Sequence, residues 1–87
     1  MPSSYSTAAL AKAEALVASQ DYAGGIKAFD AYLEQEPTGS DVLVMRAQAK
    51  VKAGDTTGAE ADYRAALRFV PDYKPALDGL KQIGAAQ

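Results

Sequence analysis

Catalysis needs groups that exchange protons, attack carbonyls or hold metals, and this chain is short of them. Its 87 residues include no histidine and no cysteine. That removes the commonest general base, the commonest zinc ligand, thiol nucleophiles and disulfides. Serine, threonine, tyrosine, aspartate, glutamate and lysine remain. Carboxylate pairs such as Asp21 with Glu14, or Asp62 with Glu60, read as ordinary helix-surface charges, with no base or metal cluster beside them. Gly24-Gly25 follows no strand and lacks a lysine signature, so it is not a nucleotide motif. The cations Lys50, Lys52, Arg64 and Arg68 read as solvated faces. What is left is recognition: apolar side chains that bury area and polar ones that fix register. The expectation is a binding protein, not an enzyme, with no cofactor and no metal.

Bulk properties narrow the partner. A net charge of −2 gives no basic footprint for nucleic acid. No apolar run approaches the roughly 18 residues of a membrane span, and the N-terminus lacks a charged-then-apolar leader. A cytoplasmic protein without a membrane partner is therefore expected. Alanine dominates the apolar residues; it is the best helix former and lets helices approach closely.

The elements that must position any site are helices. Ala9, Leu10, Ala13, Leu16 and Val17 recur at spacings of three and four after Ser6, which predicts a first helix from Ser6 and a frayed lead over residues 1–5. Asp21 caps a second helix over about residues 22–35, with Ile26, Phe29, Tyr32 and Leu33 inward. Gly25 in its first turn is read as a point of close helix approach. After Pro37, Ser40 or Asp41 opens a third helix, VLVMRAQAKVKA, which is apolar on several faces and so belongs between neighbours. Asp55 caps a fourth helix with Ala59, Tyr63, Ala66 and Leu67 on one face, and Pro71 ends it. A fifth runs from about Pro75 to Ile83, with Leu77, Leu80 and Ile83 on one side.

A shift of 34 between residues 6–39 and 40–73 aligns nine identical pairs, among them Asp21/Asp55, Gly24/Gly58, Leu33/Leu67 and Pro37/Pro71. Alanine matches are cheap in this composition, but the aspartate, proline and Phe29/Tyr63 coincidences are not. The pattern resembles the tetratricopeptide repeat, a 34-residue helix–turn–helix ending in proline. Ala47, Ala59-x-x-x-Tyr63, Ala66-Leu67 and Pro71 carry the resemblance in the second repeat, and Ala13, Gly25-x-x-x-Phe29, Leu33 and Pro37 in the first. Lys12, Arg46 and Lys50 depart from the family's leucine and tyrosine positions, Tyr32 from its alanine, and the family's tryptophan is absent.

The resemblance implies an all-α, right-handed α-solenoid of five helices: repeats over 6–39 and 40–73, and a capping helix over 74–87. It also implies a concave groove lined by the first helix of each repeat, where a peptide or helix of a partner protein binds, as in adaptors and co-chaperones. Carried over residue by residue, the groove falls on Leu10, Glu14, Val17, Val44, Gln48, Val51 and Lys52, with Thr7, Ala18 and Asp41 at its margins and Asp78 and Gln82 from the closing helix. Leu10 and Val44 read equally well as core. The clamp that holds a carboxylate terminus in some members is missing, because Leu10, Glu14, Met45, Pro75 and Gly79 stand in its places. Self-assembly is the alternative function, and the unpartnered Ala8, Ala11 and Ala15 predict a weak homodimer through the first helix.

Overall fold

A computed structural model describes residues 3–85, all of them in helices or the turns between them. The elements are α1 (Ser3–Ala18), α2 (Tyr22–Gln35), α3 (Ser40–Lys52), α4 (Thr56–Phe69) and α5 (Lys74–Gln82). Neighbours in sequence are neighbours in space: α1 on α2, α2 on α3, α3 on α4 and α4 on α5, with α5 also touching α3. The fold is therefore all-helical, two antiparallel hairpins stacked side by side and closed by a fifth helix. It measures 38 × 27 × 16 Å.

Each helix boundary has a local cause. The Asp21 and Asp55 carboxylates accept from the Gly24 and Gly58 N–H groups at 3.0 and 2.8 Å, satisfying donors the first turn leaves open. The paired glycines have a reason too, since a Cβ at either would collide with the capping carboxylate. α1, α3 and α5 end alike. Gln20, Gly54 and Gly84 take positive φ (70°, 91° and 75°). The next N–H then reaches back to Leu16, Lys50 and Leu80 respectively, a Schellman closure. Two of these positions are glycine; Gln20 adopts the same conformation against a steric cost.

The core runs along the middle of the stack. Phe29 and Tyr63 are 2 % and 1 % exposed, plugging equivalent places in the two hairpins, with Ala13, Ala47, Ala59, Ala66 and Leu80 around them. Gly25 sits where a Cβ would stand 2.5 Å from the Val17 methyl and 3.2 Å from the Ala13 carbonyl, so α1 and α2 cross closely there. Gly79 does the same for α5, lying against the Tyr63 ring. α3 carries six buried residues, as expected of a helix with neighbours on several sides.

One expectation at a helix start is corrected. α1 begins at Ser3 rather than Ser6, so residues 3–5 are helical; Met1 and Pro2 lie outside the described residues. Nothing after Ser3 breaks a helix, and extending one costs less than starting one. Ser40 opens α3, as expected, with Gly39 before it at the cap position. The buried Ser40 hydroxyl donates across the hairpin to the Ala66 carbonyl at 3.3 Å.

Candidate functional site

Two hollows open on one side of the stack, either side of α3. The first lies between α1 and α3 and is lined by Glu14, Val17, Ala18, Met45, Gln48, Ala49 and Lys52 over the edge of Phe29. The second lies between α3 and α5 and is lined by Gln48, Val51, Lys52, Gln82 and Ile83 over Tyr63. Gln48 and Lys52 border both, so the hollows join into one furrow crossing α3.

The furrow inherits the period of the sequence. Adding 34 to Glu14, Val17, Ala18, Phe29, Gln48 and Ala49 gives Gln48, Val51, Lys52, Tyr63, Gln82 and Ile83, the whole lining of the second hollow. One unit is thus repeated: an aromatic floor, a valine wall and a row of long polar side chains, Glu14, Gln48 and Gln82. Valine is stiff at χ1 and presents a fixed apolar surface. The polar row can donate and accept hydrogen bonds at regular steps. Glu14 and Lys52 make no ion pair among the described residues, leaving one free charge of each sign on the first hollow.

Five of the seven residues assigned to the groove from sequence line the furrow: Glu14, Val17, Gln48, Val51 and Lys52. The other two lie elsewhere. Val44 is only 4 % exposed and belongs to the core, and Leu10 is half-buried against it. Gln82 joins the furrow, whereas Asp78 lies with Lys74, Leu77 and Lys81 on the other side of α5. Met45, Ala49 and Ile83 were not anticipated. Met45 and Ala49 flank Gln48 by three and one residues, and that position on the same helix was the available signal.

Behind the furrow is a polar network that the surface reading of these charges missed. Asp62, taken as a surface carboxylate, is buried; Lys50, taken as solvated, is its partner. Arg46 grips Asp62 with two bonds, Nε to Oδ2 at 2.8 Å and Nη2 to Oδ1 at 2.7 Å, and reaches Asp30 on α2 with Nη1 at 2.7 Å. Lys50 Nζ stands 3.0 Å from Asp62 Oδ2. The Asp62 hydrogen bond, followed by that to Asp30, pushes the Arg46 guanidinium pKa further up against the opposing effect of burial. Arg46 and Lys50 come from α3, Asp30 from α2 and Asp62 from α4, so the network ties three helices together and fixes where α3 presents Gln48 and Val51. The two departures at Arg46 and Lys50 are one feature, a cation pair facing a carboxylate. Every buried side-chain nitrogen or oxygen among the described residues has a partner.

No family model, no curated protein and no solved structure matches the chain. Among the described residues no helix is long and apolar enough to cross a membrane. None of them form a group of three or more histidine, cysteine or carboxylate side chains able to hold a metal ion.

Proposed function

We propose that the chain is a tetratricopeptide-like protein-interaction module that binds a peptide or helix of a partner protein in the furrow across α3. One observation carries this reading: every residue lining the second hollow stands 34 positions after one that lines the first. A single catalytic pocket has no need of a copy of itself. An extended or helical ligand does, because its own side chains recur at fixed steps. The half-buried Val17, Val51 and Ile83 supply apolar contact for small or branched anchors. Gln48 and Gln82 supply hydrogen bonds along the ligand's length. With no histidine or cysteine, and with its buried carboxylate already held by Arg46 and Lys50, the protein is proposed to act by binding alone.

The test uses peptides selected from a random display library against the folded protein, their affinities measured by fluorescence anisotropy. Val51→Glu puts a charge into the second hollow and is expected to weaken a selected peptide at least about 30-fold, the equivalent of about 2 kcal/mol at a central contact. Arg68→Glu, on the exposed face of α4, is expected to change affinity less than about twofold. A peptide that tolerates Val51→Glu and is lost with Arg68→Glu would move the interaction to the outer face.

A further inference from the structure

The two hollows of the furrow share a plan, so their differences show what each selects. Phe29 floors the first and Tyr63 the second, at equivalent places and almost equally buried, 2 % and 1 % exposed. What separates the two floors is the Tyr63 hydroxyl. It makes no hydrogen bond among the described residues. Yet every fully covered side-chain oxygen or nitrogen among them has a partner. The Tyr63 hydroxyl is therefore not covered, and it opens on the hollow that Tyr63 floors. A polar group set this deep needs an atom to pair with, from water or from a ligand.

The rest of the second hollow says which atom that is. Burial pushes the Tyr63 phenol pKa up, so the hydroxyl keeps its proton and can donate it to a hydrogen bond. Lys52 brings an ammonium with no ion partner among the described residues. Gln48 and Gln82 each add an amide N–H group. No acidic residue lines this hollow, whereas Glu14 lines the first. We propose that the second hollow is a subsite for an acidic side chain of the bound peptide, an aspartate or glutamate that accepts from the Tyr63 hydroxyl and pairs with Lys52. The half-buried Val51 and Ile83 pack against its methylene groups. The first hollow, floored by Phe29 and edged by Glu14, takes an apolar anchor and repels an acid. Two hollows of equal shape would let a ligand slip by one repeat; this difference fixes its register. The subsite rests on the furrow being the peptide-binding surface. It does not use the clamp positions of the tetratricopeptide pattern, which hold Leu10, Glu14, Met45, Pro75 and Gly79.

The probes are peptides selected from a random display library against the folded chain, kept where their amide shifts map to the furrow. A shared aspartate or glutamate is expected among them. Changing that acid to its amide in the strongest binder should weaken binding at least about tenfold, the scale of a hydrogen bond to a charged group. Tyr63→Phe removes only the hydroxyl, and Phe29 shows that phenylalanine fills the equivalent place. This variant should melt within a few degrees of the parent, yet bind the acidic peptide at least about fivefold more weakly and lose less with the amide peptide. Lys52→Met should show the same selective loss, and Arg68→Glu should affect neither peptide. Furrow-bound peptides without an acid, or an acidic peptide held equally well by the parent and by Tyr63→Phe, would overturn the subsite and leave the furrow standing. An amide peptide bound as tightly as the acidic one would make the anchor a neutral acceptor and also overturn it. Failure of every selected peptide to shift furrow residues would instead overturn the furrow as the binding surface, and the subsite with it.

Discussion

Asp62→Ala is the most informative single change to the scaffold. It removes a carboxylate whose side chain is 6 % exposed and which accepts from Arg46 twice, at 2.7 and 2.8 Å, and pairs with Lys50 at 3.0 Å. Breaking a buried pair by deleting one partner costs about 3–5 kcal/mol, because the remaining charge stays desolvated. Here the cations are left 20 % and 19 % exposed, and Arg46 keeps Asp30, so the expected loss is nearer about 2–3 kcal/mol. A domain this small has a total stability near the lower end of about 5–15 kcal/mol, so roughly half would go. With a urea slope of about 1 kcal/mol/M, the midpoint read from helical circular dichroism should fall by about 2–3 M. The companion is the triple variant Arg46→Met, Lys50→Met, Asp62→Leu. Replacing a whole buried ion cluster with apolar side chains is often neutral or stabilising, so this variant should melt within about 1 kcal/mol of the parent or above it. A midpoint unmoved by Asp62→Ala, or a triple variant far less stable than the single one, would refute the reasoning.

Two further changes test the packing and the turns. Tyr63→Ala empties a site that is 1 % exposed, and aromatic-to-alanine changes in cores cost about 3–5 kcal/mol, so most of the stability should be lost and the melting temperature should fall by tens of degrees; cooperative melting within a few degrees of the parent would contradict the core assignment. Gln20→Gly relieves a side chain held at φ 70°, and should raise stability by about 0.5–1 kcal/mol in the same urea assay, with Gly54→Ala lowering it.

Local chemistry made most of the scaffold legible before any coordinates. The cap at Asp55, the stop at Pro71 and the plug at Tyr63 are each set by their neighbours in sequence, and the shift of 34 carried them to Asp21, Pro37 and Phe29. Gly25 was readable because a glycine in a helix costs stability unless something needs the space, and the Val17 methyl does. The Arg46–Asp62–Lys50–Asp30 network was not, because its members come from three helices and sequence shows only charged residues at helical spacing. Yet one clue was present. Asp62 falls on the same face as Ala59, Tyr63 and Ala66, and a carboxylate on an apolar face needs a cation to meet it. Val44 illustrates the opposite limit. Its position suited groove and core equally, and only the packing of α3 between its neighbours turned it inward.

The furrow itself admits a direct measurement. A peptide selected for binding is added to isotope-labelled protein, and the amide shifts are mapped at saturation. The account predicts that the largest changes fall on Glu14, Val17, Gln48, Val51, Lys52 and Gln82, spanning both hollows together. Changes centred instead on Ala61, Arg64 and Arg68, the outer face of α4, with the furrow residues unmoved, would contradict it.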